Sequence, residues 1–365
     1  MLHKVVKSIP FALLLASAPA MAKDTALQMV SIDVEGGGGT LFVTPDGKSL
    51  LIDTGNPEQS RITGDHPSSE RIVNAAHALG VNKIDYLIIT HYHSDHIGGI
   101  EGLLKRIPIG TVIDHGPNRE TTASPNPDAP QIDLKNPPPN STAAGYQRYM
   151  AAIAGHHHIV AKPGDVFHIG GMTVNIVAAD AKVIAKPLPG AGEDNPACAG
   201  MEAMPGNGGE ENARSTASVI TYGKTRIAAF GDFTWDREKD LFCPIDKIGK
   251  VDVYLATHHG TALSGSPAAV NALAPIVAIM GNSARKGADA TRMKTIQASP
   301  RIQGLWQLHA TTVSPGVNVD PAMIANPDTD QSKDKAYALR LRIQKDGEIT
   351  VINERNGFNR TYKAN

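Results

Sequence analysis

The stretch Tyr86-Leu-Ile-Ile-Thr90 runs directly into His91-Tyr-His93-Ser-Asp95-His96-Ile-Gly98-Gly99. The apolar run reads as a buried strand and the polar run as the loop at its end. Residues two apart on an extended segment face the same way, so His91 and His93 can grip one metal ion together. As the chain turns, Asp95 and His96 can reach a second ion about 3.5–4 Å from the first, the separation of two-metal hydrolases. The glycine pair is expected to let the chain turn sharply into a following helix. Four ligand-type side chains within six positions, behind a strand and before Gly-Gly, set this segment apart from a surface patch of histidines.

Outward from this segment, strands and helices alternate. Strands are expected over Met29 to Val34, Thr40 to Val43, Ser49 to Ile52 and Gly110 to Ile113, with helices over Glu70 to Leu79 and near Gly99 to Arg106. The second half repeats the style. Strands are expected at Val166 to Ile169, Met172 to Ala178, Ala217 to Tyr222, Thr225 to Phe230, Val251 to Ala256 and Ile276 to Met280, with helices near Ala143 to Ala154, Ser266 to Leu273 and Ala290 to Ala298. Leu339 to Ile343 and Ile349 to Asn353 read as a terminal hairpin about Lys345-Asp346-Gly347. Two β-rich halves with peripheral helices predict stacked sheets coated by helices, a four-layer αββα sandwich. Residues 117–141 and 186–214 are rich in Pro, Asn, Asp and Gly, lack apolar periodicity, and read as long loop insertions in a single domain spanning 23–365.

The chain has 365 residues, 41% hydrophobic and 19% charged, enough to build a large core. Its net charge of -1 argues against the broad basic surface that tight nucleic-acid binding requires, and favours a small molecule or short polymer as substrate. The amino end carries Lys4 and Lys7, the apolar run Phe11 to Ala16 and then Ala20-Met21-Ala22, the pattern of a secretory signal peptide over 1–22 cleaved after Ala22. Periplasmic or secreted residence without a membrane anchor follows as an expectation. An oxidising compartment would allow Cys198 and Cys243 to pair, closing a loop of about 45 residues worth about 3–4 kcal/mol.

The signature His-x-His-x-Asp-His resembles that of the metallo-β-lactamase superfamily, and the resemblance implies further residues. Asp53, in Leu51-Ile-Asp-Thr-Gly55, would support the metal ligands from behind. Asp232, in Ala229-Phe-Gly-Asp232, would bridge two ions. The segment Val251-Asp-Val-Tyr-Leu-Ala-Thr-His258-His259-Gly260 would give the last ligand. One of the two adjacent histidines should bind the second metal while its neighbour faces the substrate. Sequence does not order them; the working assignment puts His258 on metal and His259, with Asp95, in proton transfer.

One departure stands out: many relatives place a further histidine before the bridging Asp, and none occurs between Val183 and Asp232. The stretch instead holds Asn212-Ala-Arg-Ser215, which looks like the hydrolase domain of the competence protein ComEC and, in the missing histidine, like phosphorylcholine esterase. That likeness implies phosphoester or phosphodiester hydrolysis by metal-activated water, with Asn212 or Ser215 contacting substrate. The metal would be zinc, with manganese or iron as alternatives, at one or two ions. A lactonase or β-lactamase-like hydrolase and a non-catalytic exported binding protein are the rival readings. His115, in Ile113-Asp-His-Gly116, and His309 also end strands and are expected at the substrate pocket. The consecutive His156-His157-His158 cannot all meet one ion from a strand. Gly36 to Gly39 precedes a strand and reads as a turn near Asp33 rather than a nucleotide loop.

Overall fold

The computed structural model describes residues 25–124, 128–199, 210–330 and 334–364, so the expected signal peptide and its cleavage point lie outside the described residues. The chain first lays down six strands of one sheet: β1 (Leu27–Ser31), β2 (Thr40–Val43), β3 (Ser49–Ile52), β4 (Ile84–Ile88), β5 (Ile109–Asp114) and β6 (His157–Val160). It then builds a second sheet from β7 (Val166–Ile169), β8 (Met172–Ala179), β9 (Lys182–Val183), β10 (Ala217–Tyr222), β11 (Thr225–Ala229), β12 (Val253–Leu255), β13 (Val277–Met280), β14 (Gly304–His309) and β15 (Ile324–Asn326). It ends by returning to the first sheet with β16 (Leu339–Ile343), β17 (Glu348–Asn353) and β18 (Asn359–Lys363), β16 pairing antiparallel to β1.

Side-chain alternation along these strands makes the layers. Leu27, Met29 and Phe42 of the first sheet and Ile176, Ile220, Val253, Ile279 and Trp306 of the second share one apolar cluster between the sheets. Their neighbours Val30, Leu41 and Leu51 point the other way, onto α1 (Ser68–Ala78), α3 (Ile100–Arg106) and α4 (Thr142–Ala152) through Ile72, Leu103 and Tyr149. On the far side Val219, Ala228 and Tyr254 meet α5 (Trp235–Phe242), α6 (Pro267–Leu273) and α7 (Ala290–Gln297) through Leu241, Val270 and Met293. Period-two strands buried on both faces thus give helix, sheet, sheet, helix, the expected four-layer α/β sandwich. The short α2 (Ser94–Ile97) lies inside the histidine-rich loop itself.

The strands nearest the site are parallel: β3 pairs with β4 and β11 with β12. Their carboxyl ends therefore emerge at one edge, and the loops after them meet there. The structure extends the expected terminal hairpin by β18, which pairs with β17. Asn359–Lys363 is largely exposed and polar, so it shows no alternation to reveal it. Cys198 and Cys243 form a disulfide, their Cα atoms 5.8 Å apart, which ties the second long loop to the end of α5. Among the described residues no helix is long and apolar enough to cross a membrane.

Gly98 and Gly99 differ from expectation in their reason. Both have right-handed φ, -62° and -81°. A Cβ on Gly98 would stand 2.2 Å from the Ser94 carbonyl oxygen, and one on Gly99 2.1 Å from that of Thr54. Close packing onto the loop after β3, rather than a sharp turn, requires glycine at both positions.

Candidate metal centre

Asp232 is the hub. It follows β11 and is buried, and its backbone N–H donates to Ser215 Oγ at 3.2 Å. Its two carboxylate oxygens face different histidines. Oδ1 lies 3.4 Å from His96 Nε2 and 3.3 Å from His259 Nε2. Oδ2 lies 3.3 Å from His258 Nε2 and 3.9 Å from His91 Nε2.

On the Oδ1 side, Asp95, His96, Asp232 and His259 bring four donor atoms within 4.8 Å of one another. Asp95 Oδ2 is 3.3 Å from His96 Nε2 and 3.6 Å from His259 Nε2, and those two nitrogens are 3.3 Å apart. A tetrahedron with such edges has a centre about 2.0–2.2 Å from each corner, the bond length of a divalent ion with imidazole and carboxylate donors. The donor set fits a metal of that kind. On the Oδ2 side, His91 Nε2 and His93 Nδ1 stand 3.0 Å apart, so the two strand-end histidines present different ring nitrogens to the same space.

Each histidine has its other ring nitrogen engaged. His96 Nδ1 meets Asp53 Oδ2 at 2.8 Å, His91 Nδ1 meets Thr90 Oγ1 at 3.1 Å, and His93 Nε2 meets Glu120 Oε2 at 3.2 Å. His258 Nδ1 meets Ser264 Oγ at 3.1 Å, and His259 Nδ1 donates to the Gly281 carbonyl at 3.0 Å. Fixing the remote nitrogen sets the ring's orientation and leaves the near one to bind. Asp53 thus contacts the ring of His96, and Glu120 holds His93 from the first long loop, where no sequence signal marked it.

The adjacent histidines after β12 have an unusual backbone. His258 and His259 both lie in the left-handed region, φ 55° and 56°, a conformation costing about 1–2 kcal/mol for each non-glycine residue. Backbone bonds hold it, from His258 N–H to the Gly231 carbonyl and from Ala288 N–H to that of His259, both 2.9 Å. The two rings are splayed, with centroids 6.2 Å apart and planes at 75°. The working assignment is therefore redistributed: His259, expected in proton transfer, joins Asp95 and His96, while His258 sits at the opposite oxygen of Asp232.

Burial drives charge in the opposite sense to the site's neighbours, and the neighbours prevail at the carboxylates. Burial would raise the carboxyl of Asp232, but His258, His259 and His96 hold it well below the ordinary range. Burial would likewise raise Asp95, yet Lys286 and His96 hold it well below. Burial lowers His258 to about 4 despite the nearby Asp232. Burial also lowers His91, helped by His96 and His93.

A cavity of about 1120 Å³ opens beside these groups, with His93, Asp95, Asp232, His258, Asn212 and Lys286 on its wall. Lys286 Nζ lies 2.5 Å from Asp95 Oδ2, and its side chain is 38% exposed. It comes from the loop after β13 and carried no sequence signal. Of the four residues expected to contact substrate, Asn212 lines the cavity and the other three face elsewhere. Ser215 accepts from the backbone of Asp232. His115 is buried against Glu211, Nε2 to Oε2 3.0 Å, and His309 against Asp33, Nε2 to Oδ1 2.8 Å. The Nε2 of each is taken by a buried carboxylate, and neither residue lines the cavity. Asp114 accepts from Tyr149 Oη at 2.7 Å and pairs with His158 Nε2 at 2.8 Å, so one of the three consecutive histidines serves a cross-strand contact.

The family model for the metallo-beta-lactamase superfamily matches residues 35–192, which include Asp53 and the whole loop from His91 to His96. No curated protein matches the chain. Among solved structures the chain is similar to a Cronobacter sakazakii metallo-beta-lactamase with a HARLDQ motif, at 17% identity over 58% of this chain and 62% of that one, TM-score 0.32. It is similar to a metal-dependent hydrolase of the beta-lactamase superfamily, at 12% identity over 77% of this chain and 95% of that one, TM-score 0.41. It is also similar to a diphosphatase from the PhnP family, at 12% identity over 77% and 94%, TM-score 0.35. The alignments span 62% of the length of that Cronobacter chain and 56% of that of its S60 mutant.

Proposed function

We propose that this chain, whose residues 35–192 match the family model of the metallo-β-lactamase superfamily, is a member of that superfamily and a metal-dependent hydrolase of phosphoester or phosphodiester substrates. One observation carries the reading. A cationic side chain, Lys286, stands on the wall of the same cavity that exposes Asp95, Asp232 and His93.

A divalent metal held by the donors around Asp232 supplies Lewis acidity and lowers the pKa of water toward neutrality. The chain's own residues do the rest. Asp232 offers one oxygen to each side of the site and ties the two sides together. Lys286 stays charged: burial would lower its ammonium, but Asp95 and Asp232 raise it. It is therefore an electrostatic contact for an anionic oxygen of the substrate, and its charge opposes the charge that builds up on phosphorus-bound oxygens during displacement. Asn212, on the same wall, gives an amide to orient that group, the part assigned to it by the ComEC-like Asn-x-x-Ser segment. Zinc suits the imidazole and carboxylate donors, and manganese or iron suit them also.

Export belongs to the same proposal. The Cys198–Cys243 disulfide suits an oxidising compartment, periplasmic or outside the cell.

The test is a substrate panel on metal-loaded protein: bis-p-nitrophenyl phosphate, a chromogenic cephalosporin and a lactone. Turnover of the phosphodiester at least tenfold above the other two, lost in His96→Ala, is the expected result. Preference for the cephalosporin or lactone overturns the substrate class, and absence of turnover on all three together with stoichiometric metal overturns the catalytic reading.

A further inference from the structure

The family pattern leaves the His91 side of this site one histidine short, because none occurs between Val183 and Asp232. We infer that His258 takes that place, so that the two adjacent histidines after β12 bind two different ions, His258 with His91, His93 and Asp232 Oδ2, and His259 with Asp95, His96 and Asp232 Oδ1. This rests on the metal-dependent reading above.

Three independent features of the structure support it. The first is distance. His258 Nε2 lies 3.3 Å from Asp232 Oδ2, an oxygen that His91 Nε2 also approaches at 3.9 Å, while His93 Nδ1 is 3.0 Å from His91 Nε2. These three of the six donor separations bracket the edge of about 3.4 Å that four donors make around an ion bonded at about 2.1 Å, and the His93 ring must close toward Asp232 to complete the set. They scatter more widely than the edges of the donor set on the opposite oxygen, 3.3 to 3.6 Å, about the same mean.

The second is orientation. The remote nitrogen of His258 is engaged by Ser264 Oγ at 3.1 Å, as the remote nitrogens of His91, His93, His96 and His259 are engaged by Thr90, Glu120, Asp53 and the Gly281 carbonyl. A histidine that only brushed a substrate would not need its ring fixed in the manner of the ligands.

The third is the backbone. Consecutive residues on a strand point to opposite faces, and neither a strand nor a right-handed turn sends two neighbours to the two oxygens of one carboxylate. Two successive left-handed residues do so here, at φ 55° and 56°, splaying the rings by 75°. Only His259 is needed for the Asp95 and His96 side, so the second left-handed residue has no purpose there. It is accounted for if His258 must reach Oδ2. The missing histidine is then supplied from after the bridging carboxylate instead of before it, and Ser215, in the segment where that histidine would be sought, holds the Asp232 backbone.

The experiment reads metal directly. Full-length protein stripped of metal is titrated with Zn²⁺ and counted by elemental analysis after desalting, then titrated with Co²⁺ and followed by absorption. The wild type should hold about two ions per chain. His258→Ala and His259→Ala should each fall to about one, and the Co²⁺ ligand-field spectra of the two variants should differ, since the ion retained sits among different donors. His258→Cys should gain a thiolate-to-cobalt charge-transfer band in the near ultraviolet, a signal that arises only if the side chain at this position touches the ion. Far-ultraviolet circular dichroism and a thermal melt identify any variant that fails to fold, and His258→Gln, which keeps a polar tip for Ser264, replaces the alanine variant in that event. Two ions retained by His258→Ala or His258→Gln at wild-type affinity overturns the assignment and leaves the metal-dependent reading standing. A wild type that retains no ion sinks both.

Discussion

Asp53 Oδ2 lies 2.8 Å from His96 Nδ1, the nitrogen opposite to the one that faces Asp232. The same carboxylate accepts the backbone N–H of Thr90 at 2.7 Å and its hydroxyl at 2.8 Å, so one side chain at the end of β3 fixes both the exit of β4 and the ring of a histidine in the proposed donor set. Asp53 is itself left-handed, φ 62°, a strained conformation that its buried bonds sustain. Replacing it with asparagine keeps the size and removes the charge that makes His96 a stronger donor. Asp53→Asn should bind Zn²⁺ about 10–100-fold more weakly in a competition titration against a chromophoric chelator. An unchanged affinity would show that the bond positions nothing.

Lys286 should separate substrate binding from metal binding. Its ammonium contacts Asp95 but is not among the metal donors, so Lys286→Met should keep the wild-type Zn²⁺ stoichiometry. A charged hydrogen bond to an anionic oxygen is worth about 1.5–3 kcal/mol, which corresponds to a loss of about 10–150-fold in kcat/KM on a phosphodiester. Lys286→Arg should recover part of it. If steady-state kinetics show both variants at the wild-type value, the anion contact lies elsewhere.

The second buried ionic cluster predicts a dependence of stability on pH. His309 of one sheet meets Asp33 of the other at 2.8 Å, Glu35 and Asp334 lie alongside, and Arg71 bonds both Asp33 and Asp334. Burial, with Asp33 and Asp334, raises Glu35 from 4.5 to about 8. Burial would lower His309, but Asp33 and Glu35 carry it from 6.5 to about 9. Both groups hold their proton more tightly folded than unfolded. The stability they contribute is complete below their unfolded values and is lost as pH rises through the folded ones. Asp33 shifts the opposite way, but below 3.8 and outside this window. His258 and His91 are lowered and act the other way below pH 6.5, so the unfolding free energy from urea titrations should fall from pH 6.5 to about 9, most steeply up to about 8. His309→Gln should flatten the upper part of that fall, and a wild-type curve that rises across the window would contradict the cluster.

What the sequence disclosed and what it withheld divide along physical lines. The loop from His91 to His96 was legible because a buried strand announces itself in consecutive residues and its end is fixed by the pattern. Asp53 and Asp232 were implied by the resemblance, one directly after the strand ending at Ile52 and the other three residues after the strand ending at Ala229. The four layers were readable from alternation in strands buried on both faces. Glu120 and Lys286 were not, because their partners lie 27 and 191 positions away and loops carry no periodicity. The roles of His258 and His259 turn on the sign of φ at two non-glycine residues, which composition does not encode. His115 and His309 stand at strand ends as the rule expects, but Glu211 and Asp33 hold their Nε2 atoms. A strand end brings a residue to the site's edge; tertiary partners decide where its side chain turns.

The glycine run before β2 supplies the most direct steric test. Gly38 donates its N–H to the Asp95 carbonyl at 3.0 Å and packs flat against the pair just described. A Cβ there would stand 2.4 Å from Asp53 Oδ2 and 2.7 Å from His96 Nδ1, and its neighbour Gly37 would place one 2.2 Å from the Asp95 carbonyl oxygen. The backbone at Gly38 is not left-handed, so an alanine meets no torsional penalty and acts by contact alone. The flexible end of a side chain is not what it strikes, because Asp53 is held by Thr90 and His96 on both oxygens. Gly38→Ala should therefore lower stability by about 1–3 kcal/mol, as overpacking of a tight site does, and weaken Zn²⁺ binding with it. Gly316→Ala, where nothing lies within 4 Å of the added carbon, is the control and should leave both unchanged. Denaturant melts with and without Zn²⁺ separate the two effects: if Gly38→Ala loses stability but the increment gained on adding Zn²⁺ is that of the wild type, the run packs against the site without setting its geometry.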